Sequence, residues 1–139
     1  MSLSIRNQIP GTVTAIAPGG TMATVRIRLD GGQYLTAAIT LESVKDLGLT
    51  EGSAVRGLVK STDVALATGP SEGLSIRNQW PGTVTAVATG GAMASVGITV
   101  DGNELTAAIT AEAVTDLGLA AGTPVVVLVK STAVSLSIV

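Results

Sequence analysis

Cysteine and histidine are both absent from this 139-residue sequence. Without cysteine there is no disulfide framework of the kind that stabilises small exported domains, so we expect a cytoplasmic protein. The chain also lacks an imidazole base, a thiolate nucleophile and the usual soft-metal ligands. Because no nucleophile–base pair is evident either, the sequence predicts a protein that is not an enzyme, binds no metal cation directly and uses no organic cofactor.

Aromatic and charged side chains are also scarce. The sequence has no Phe, one Trp and one Tyr, and only 13% of its residues are charged. A net charge of −2 argues against a nucleic-acid partner, because such surfaces combine a basic groove with stacking aromatics. Charged or polar residues interrupt every apolar run, so no membrane partner is expected. A small chain this apolar tends to bury surface against its own copies, which predicts a homo-oligomer.

The sequence is an internal duplication. Residues 3–8 and 74–79 both read LSIRNQ, and the LTAAIT of residues 35–40 returns at 105–110. The two LTAAIT segments are one residue closer together than the two LSIRNQ segments. We therefore place a one-residue deletion in a turn near residues 31–34, because loops tolerate such changes better than strands. We therefore expect a first domain over 1–67, a linker over 68–73 and a second domain over 74–139.

Each repeat has the pattern of a small β-domain. Residues 22–29 alternate between apolar and polar side chains, as in a half-buried strand. Thr40 and Gly48 bracket a short helix as its N-cap and its stop. The remaining strands are predicted at 12–17, entered from a Pro-Gly turn, and at 34–39, 53–60 and 64–67. Such repeats predict an all-β chain of two tandem OB-like small barrels, each with one short helix.

The cations differ between the repeats in an informative way. Arg6 and Lys60 recur as Arg77 and Lys130, within SIRN and VKST motifs. The other four are replaced in the second repeat: Arg26, Arg28, Lys45 and Arg56 become Gly97, Thr99, Thr115 and Val126. This selective retention favours a function for the two motifs, although cations that merely decorate strand ends remain the alternative.

Both retained motifs suit a tetrahedral oxyanion. Arginine offers a rigid fork of N–H donors and lysine a compact charge, while hydroxyl and amide side chains add further donors. Neighbouring backbone N–H groups can complete an anion-binding nest. Neither motif contains a carboxylate that would repel a dianion. The donors of the first repeat are Ser4, Arg6, Asn7, Lys60, Ser61 and Thr62.

Taken together, the motifs resemble those of the molbindin (Mop domain) family in its duplicated, di-Mop form. The matching features are SIRN at 4–7 and 75–78, AAIT at 37–40 and 107–110, and VKST at 59–62 and 129–132. The resemblance implies molybdate or tungstate as bound ligand, a role in intracellular storage and homeostasis, and a trimer with oxyanion sites at subunit interfaces. It implies one set of site residues formed by Ser4, Arg6, Asn7, Thr40, Lys60, Ser61 and Thr62, and a second formed by Ser75, Arg77, Asn78, Thr110, Lys130, Ser131 and Thr132.

Two other functions fit a pair of OB-like domains. A non-catalytic structural or regulatory interaction module would need the same fold without a bound anion. A single-stranded nucleic-acid binder would need more stacking aromatics than Tyr34 and Trp80. Copurifying molybdenum or tungsten would separate oxyanion binding from a purely structural role.

Overall fold

The computed structural model describes residues 2–139, which form two similar units of antiparallel sheet. Each repeat supplies five strands, one short α-helix and one 3-10 turn. The first repeat contains β1 (Asn7–Pro18), β2 (Met22–Leu29), β3 (Tyr34–Thr40), α1 (Leu41–Asp46), β4 (Ala54–Val59), a 3-10 turn (Ser61–Asp63) and β5 (Ala65–Ala67). The second contains β6 (Asn78–Thr89), β7 (Met93–Val100), β8 (Asn103–Thr110), α2 (Ala111–Leu117), β9 (Pro124–Val129), a 3-10 turn (Ser131–Ala133) and β10 (Ser135–Ile138). The predicted all-β class with one short helix per repeat is confirmed.

The two repeats exchange their last strands. One sheet has the order β10-β4-β1-β2-β3 and the other β5-β9-β6-β7-β8. Leu136 of β10 lies opposite Gly57 of β4, and Leu66 of β5 lies opposite Val127 of β9. Each five-stranded sheet therefore needs a strand from the other repeat, so the two barrels are joined by backbone hydrogen bonds as well as by the linker.

The hydrophobic core follows the alternation that the sequence predicts. In β2, Val25 and Ile27 are fully buried while Arg26 and Arg28 are exposed. Leu35 continues the buried face on β3, and the buried residues of both repeats form one continuous cluster. The single tryptophan, Trp80, is buried in this cluster and donates its indole N–H to the carbonyl of Tyr34 at 2.8 Å. The hydrophobic core thus connects the two repeats as well as filling each barrel.

The first strand is longer than the sequence suggested. The expected Pro-Gly turn before residue 12 is wrong, because β1 runs through Pro10 and Gly11 without a break. Pairing with β4 covers Asn7–Thr12, whereas pairing with β2 begins only at Gly11. At Pro10 the strand therefore has one partner, and an edge position tolerates the missing N–H. A side chain at Gly11 would overlap the Ile27 methyl and the Arg28 carbonyl, so the close crossing of β1 and β2 requires glycine there.

The predicted helix boundaries and the predicted hairpin deletion are both confirmed. Thr40 is the N-cap of α1, where its hydroxyl accepts from the Ser43 N–H at 3.1 Å, and Gly48 follows the helix at a φ of 62°. The β2–β3 connection spans residues 30–33, whereas β7 and β8 are joined by Asp101 and Gly102 alone. Both of these residues have positive φ, 47° and 85°, as a tight hairpin turn demands. Neither α1 nor α2 is long enough to span a membrane, and no other α-helix occurs in residues 2–139.

Candidate functional site

Strand pairing brings the two retained motifs together in each repeat. Asn7 lies opposite Val59 where β1 meets β4, so Arg6 and Lys60 continue from adjoining strand ends. The second repeat has the same register, with Asn78 opposite Val129. Because the motifs sit at the open end of the same antiparallel pair, SIRN and VKST form one surface although they are far apart in sequence.

In the second repeat these motifs enclose a cavity of about 210 Å³. Its volume is several times the ~30 Å³ of one water molecule, which leaves room for a small solvated anion. Two cationic side chains and three hydroxyls face it, and no carboxylate contributes to the lining. The lining residues are Ser75, Ile76, Arg77, Lys130, Ser131 and Thr132. We refer to this space as the paired-motif cavity.

The 3-10 turn at Ser131–Ala133 adds backbone donors to the same place. Within this turn the Ala133 N–H donates to the Lys130 carbonyl at 3.0 Å, and the Val134 N–H to the Ser131 carbonyl at 3.4 Å. The first amides of such a turn have no partner inside it. Across residues 2–139, neither the Ser131 N–H nor the Thr132 N–H donates to a backbone carbonyl. Both amides therefore remain available to an acceptor outside the turn.

Next to its VKST motif, the first repeat carries a charged residue that the second repeat lacks. Its turn reads Ser-Thr-Asp, so Asp63 stands where the second repeat has Ala133. Asp63 and Thr62 line a neighbouring cavity of about 220 Å³ together with Lys130. A carboxylate at this position reduces the positive potential around the first copy of the motifs, so the two copies are not equivalent electrostatically.

The two predicted asparagines occupy a different environment from the cations. Asn7 and Asn78 are each 2% exposed, whereas Arg6 and Arg77 are exposed. The Asn7 amide donates to the Thr106 carbonyl at 2.9 Å and accepts from the Thr106 N–H at 2.8 Å. Both polar groups of the side chain thus bond to the backbone of the other repeat, which fixes the strand end from which Arg6 extends.

The predicted threonines serve as helix caps. The Thr110 hydroxyl accepts from the Ala113 N–H at 3.1 Å, as Thr40 does in the first repeat. Thr40 also lines a separate cavity with Glu42 and Lys45 rather than the paired-motif cavity. The strand that ends at Thr40, β3, packs against the 3-10 turn at Ser131–Ala133, and β8 packs against the turn at Ser61–Asp63. Each threonine-bearing strand therefore lies beside the VKST motif of the other repeat.

One polar cavity was not anticipated from the sequence. It measures about 420 Å³ and lies against the outer face of the first sheet, where Arg26, Tyr34 and Arg77 contribute to its lining. Its only sequence signal is that Arg26 has no counterpart in the second repeat. Over residues 2–139, no group of three or more carboxylates forms a cluster suited to a metal ion.

Comparison with protein families recovers the same duplication. The TOBE domain model matches residues 3–66 and again residues 74–136. The chain therefore belongs to the TOBE-domain family, of which it carries two tandem copies. The resemblance to molbindin domains that the motifs suggested is confirmed by these matches.

The most similar relatives include proteins named for molybdenum. The chain is 39% identical over 139 residues to the molybdenum transport protein ModE of Azotobacter vinelandii, covering 99% of this chain and 52% of that protein. It is 42% identical over 66 residues to molybdenum-pterin-binding protein 3 of Clostridium pasteurianum, covering 48% of this chain and 97% of that one. The chain thus spans about half the length of the ModE relatives that it matches.

A solved structure matches the whole chain. The cytoplasmic molybdate-binding protein ModG, with molybdate bound, superimposes with a TM-score of 0.97 at 40% identity, covering 100% of both chains. The duplicated OB-like architecture is therefore shared by the two proteins.

Proposed function

We propose that this chain binds molybdate or tungstate in its paired-motif cavity and at the corresponding motifs of the first repeat, and acts as an intracellular store of these oxyanions rather than as an enzyme. The observation that carries the proposal is the meeting of Arg77 and Lys130 with three hydroxyls in one cavity without a carboxylate. The full-length likeness to a molybdate-bound ModG structure supports the choice of ligand and of a cytoplasmic location. The site residues remain the fourteen named from the sequence, with Asn7 and Asn78 positioning the arginines.

Charge and hydrogen-bond polarity provide the selectivity in this proposal. Molybdate is a fully deprotonated dianion at neutral pH, so each of its oxygens accepts hydrogen bonds. A cavity lined by donors suits it, whereas a protonated phosphate oxygen would find no acceptor. Sulfate has the same charge and shape but is smaller, so donors spaced for the larger anion contact it poorly. Tungstate matches molybdate in charge and closely in size, and we propose that both are bound.

The proposed assembly is a trimer in which oxyanion sites lie at subunit interfaces. A low charged fraction of 13% and exposed apolar side chains at Leu3, Leu74, Met22 and Met93 are consistent with self-association. The units within each chain would be residues 1–67 and 74–139 with 68–73 as linker, their last strands exchanged. No nucleic-acid or membrane partner is proposed, since the sequence has a net charge of −2 and no helix within residues 2–139 is long and apolar enough to cross a membrane.

Titration calorimetry with molybdate tests the proposal on the full chain and on Lys130→Ala. Removing this charge-assisted contact costs about 1.5–3 kcal/mol, which corresponds to roughly ten- to a hundredfold weaker binding at its site. Arg56→Val is the matched control, because it removes one exposed cation and installs the residue of the second repeat. Equal molybdate affinity in Lys130→Ala and Arg56→Val would refute the site assignment. Absence of molybdate binding to the unmodified chain would favour a structural module.

A further inference from the structure

A second polar cavity lies outside the paired-motif cavity, on the outer face of the first sheet. Ala15, Arg26 and Thr36 stand side by side across β1, β2 and β3. The small side chains of Ala15 and Ala17 leave space above the sheet beside Arg26. Arg77, which precedes β6, borders this space from the side of the second repeat, and the resulting cavity measures about 420 Å³.

The charged group on the floor of this cavity is held in place. The Arg26 guanidinium carbon lies 4.2 Å from the centroid of the Tyr34 ring, a cation–π contact. Stacking uses the face of the guanidinium and leaves the N–H donors along its edge available to an anion. Because the side chain is already restrained by the ring, binding an anion costs less conformational entropy than it would with a free arginine.

The remaining lining groups are suited to an anion as well. Thr24 and Thr36 add hydroxyls, Arg77 adds a second guanidinium, and no carboxylate lines the cavity. The Asn78 amide, although it borders the space, is already bonded to the N–H and carbonyl of Thr36. Two arginines and two hydroxyls therefore face the space with neither a neutralising acid nor an aliphatic side chain larger than alanine.

The second repeat lacks the equivalent charges, which makes it an internal control. Gly97 replaces Arg26, and Glu104 replaces Tyr34, while Arg6 stands where the first sheet has Arg77. The corresponding positions of the second repeat hold one cation and one acid, whereas Arg26 and Arg77 give the first sheet two positive charges. The pair of positive charges is therefore a feature of one repeat and not a consequence of the fold that both share.

We propose that this face of the first sheet is a second oxyanion site, which takes one anion per chain between Arg26 and Arg77. Its cavity has about twice the volume of the paired-motif cavity, 420 Å³ against 210 Å³. The donors of this larger cavity therefore do not select anions by size. The site consequently accepts sulfate and phosphate dianions as readily as molybdate. The inference rests on the proposed function only in that Arg77 borders both cavities; the discriminating residue, Arg26, belongs to this site alone.

Calorimetric titration of the full chain with sodium sulfate tests this inference. The unmodified chain should bind about one sulfate, and Arg26→Gly should weaken that binding about tenfold or more, as loss of a charge-assisted contact does. Arg28→Thr is the matched control, because it removes the same charge from the same strand and also installs the residue of the second repeat. Arg26→Gln serves as a second variant that removes the charge without adding a glycine to β2.

The two sites give separable results in this experiment. Arg26→Gly and Arg26→Gln should keep the molybdate affinity of the paired-motif cavity, and Lys130→Ala should keep the sulfate binding of the second site. Equal sulfate affinity in Arg26→Gln and Arg28→Thr would overturn the inference, because the heat would then arise from general positive charge. Absence of sulfate binding to the unmodified chain would overturn it as well, while leaving the molybdate result untouched.

Discussion

The side-chain amide of Asn78 pairs with the backbone of Thr36 as a neighbouring strand would. It accepts from the Thr36 N–H at 2.7 Å and donates to the Thr36 carbonyl at 2.9 Å. Asn7 repeats this arrangement with Thr106, so each repeat uses one asparagine to hold the third strand of the other. The asparagine of the SIRN motif is thereby a structural link between repeats, next to an arginine that faces a cavity.

Replacing this amide should destabilise the protein strongly. Asn78→Ala leaves the N–H and the carbonyl of Thr36 without their partner in a partly buried position, which we expect to lower the free energy of unfolding by about 2–4 kcal/mol. Chemical denaturation measures the effect. Gln8→Ala is the control, because this exposed amide only donates to the nearby Ile5 carbonyl and its loss should change stability by less than about 0.5 kcal/mol. An Asn78→Ala variant as stable as Gln8→Ala would contradict the structural role.

Strand exchange predicts which engineered cysteines will join. Ser137 lies directly opposite Arg56, so Arg56→Cys with Ser137→Cys should form a disulfide under mild oxidation. The chain has no cysteine of its own, which keeps the result unambiguous. Thiol titration of the denatured protein gives the yield.

A second cysteine pair provides the control for this topology. Ala67 lies opposite Val126 in the other sheet, but it would lie opposite Arg56 if each repeat kept its own last strand. Arg56→Cys with Ala67→Cys should therefore retain free thiols. A disulfide in this pair, without one between positions 56 and 137, would show that the strands are not exchanged.

The tips of the two hairpins approach each other closely at Gly31. A Cβ at this position would overlap the carbonyl oxygen and the Cβ of Asp101 in the other hairpin. We expect Gly31→Ala to cost about 1–3 kcal/mol of folding stability, as overpacking against backbone does. Gly20→Ala should be close to neutral, because a Cβ there meets no atom within 4 Å. Thermal unfolding of both variants measures the difference, and equal melting temperatures would argue against contact between the hairpins.

Local structure could be predicted from the sequence because it depends on neighbouring residues. The alternation in β2 and the Thr40 cap each reflect short-range chemistry, and both agree with the structure. The Pro-Gly pair led to the wrong prediction of a turn. Only the strand pairing shows that Pro10 lies where β1 has a single partner strand. Strand exchange could not be predicted either, because β5 and β10 have nearly the same sequence pattern and either strand could complete either sheet.

The candidate site likewise combines features that could be predicted from the sequence with features that could not. The motifs and their cations could be found by comparing the two repeats, because the sequence itself shows that these cations recur while the other four are replaced. The burial of Asn7 and Asn78 could not, since their partners are backbone groups of the other repeat. The cavity beside Arg26 was hidden for a related reason: Arg77 reaches it from the other repeat and Tyr34 from the next strand.

Selectivity among anions is the most direct test of molybdate binding in the paired-motif cavity. The full chain, stripped of bound anion, would be titrated with molybdate and then with molybdate in the presence of excess sulfate or phosphate. We expect tight molybdate binding that neither anion displaces from the paired-motif cavity, with Lys130→Ala weakening it roughly ten- to a hundredfold. Displacement of molybdate from the paired-motif cavity by equimolar sulfate, or no heat on adding molybdate at all, would contradict this assignment.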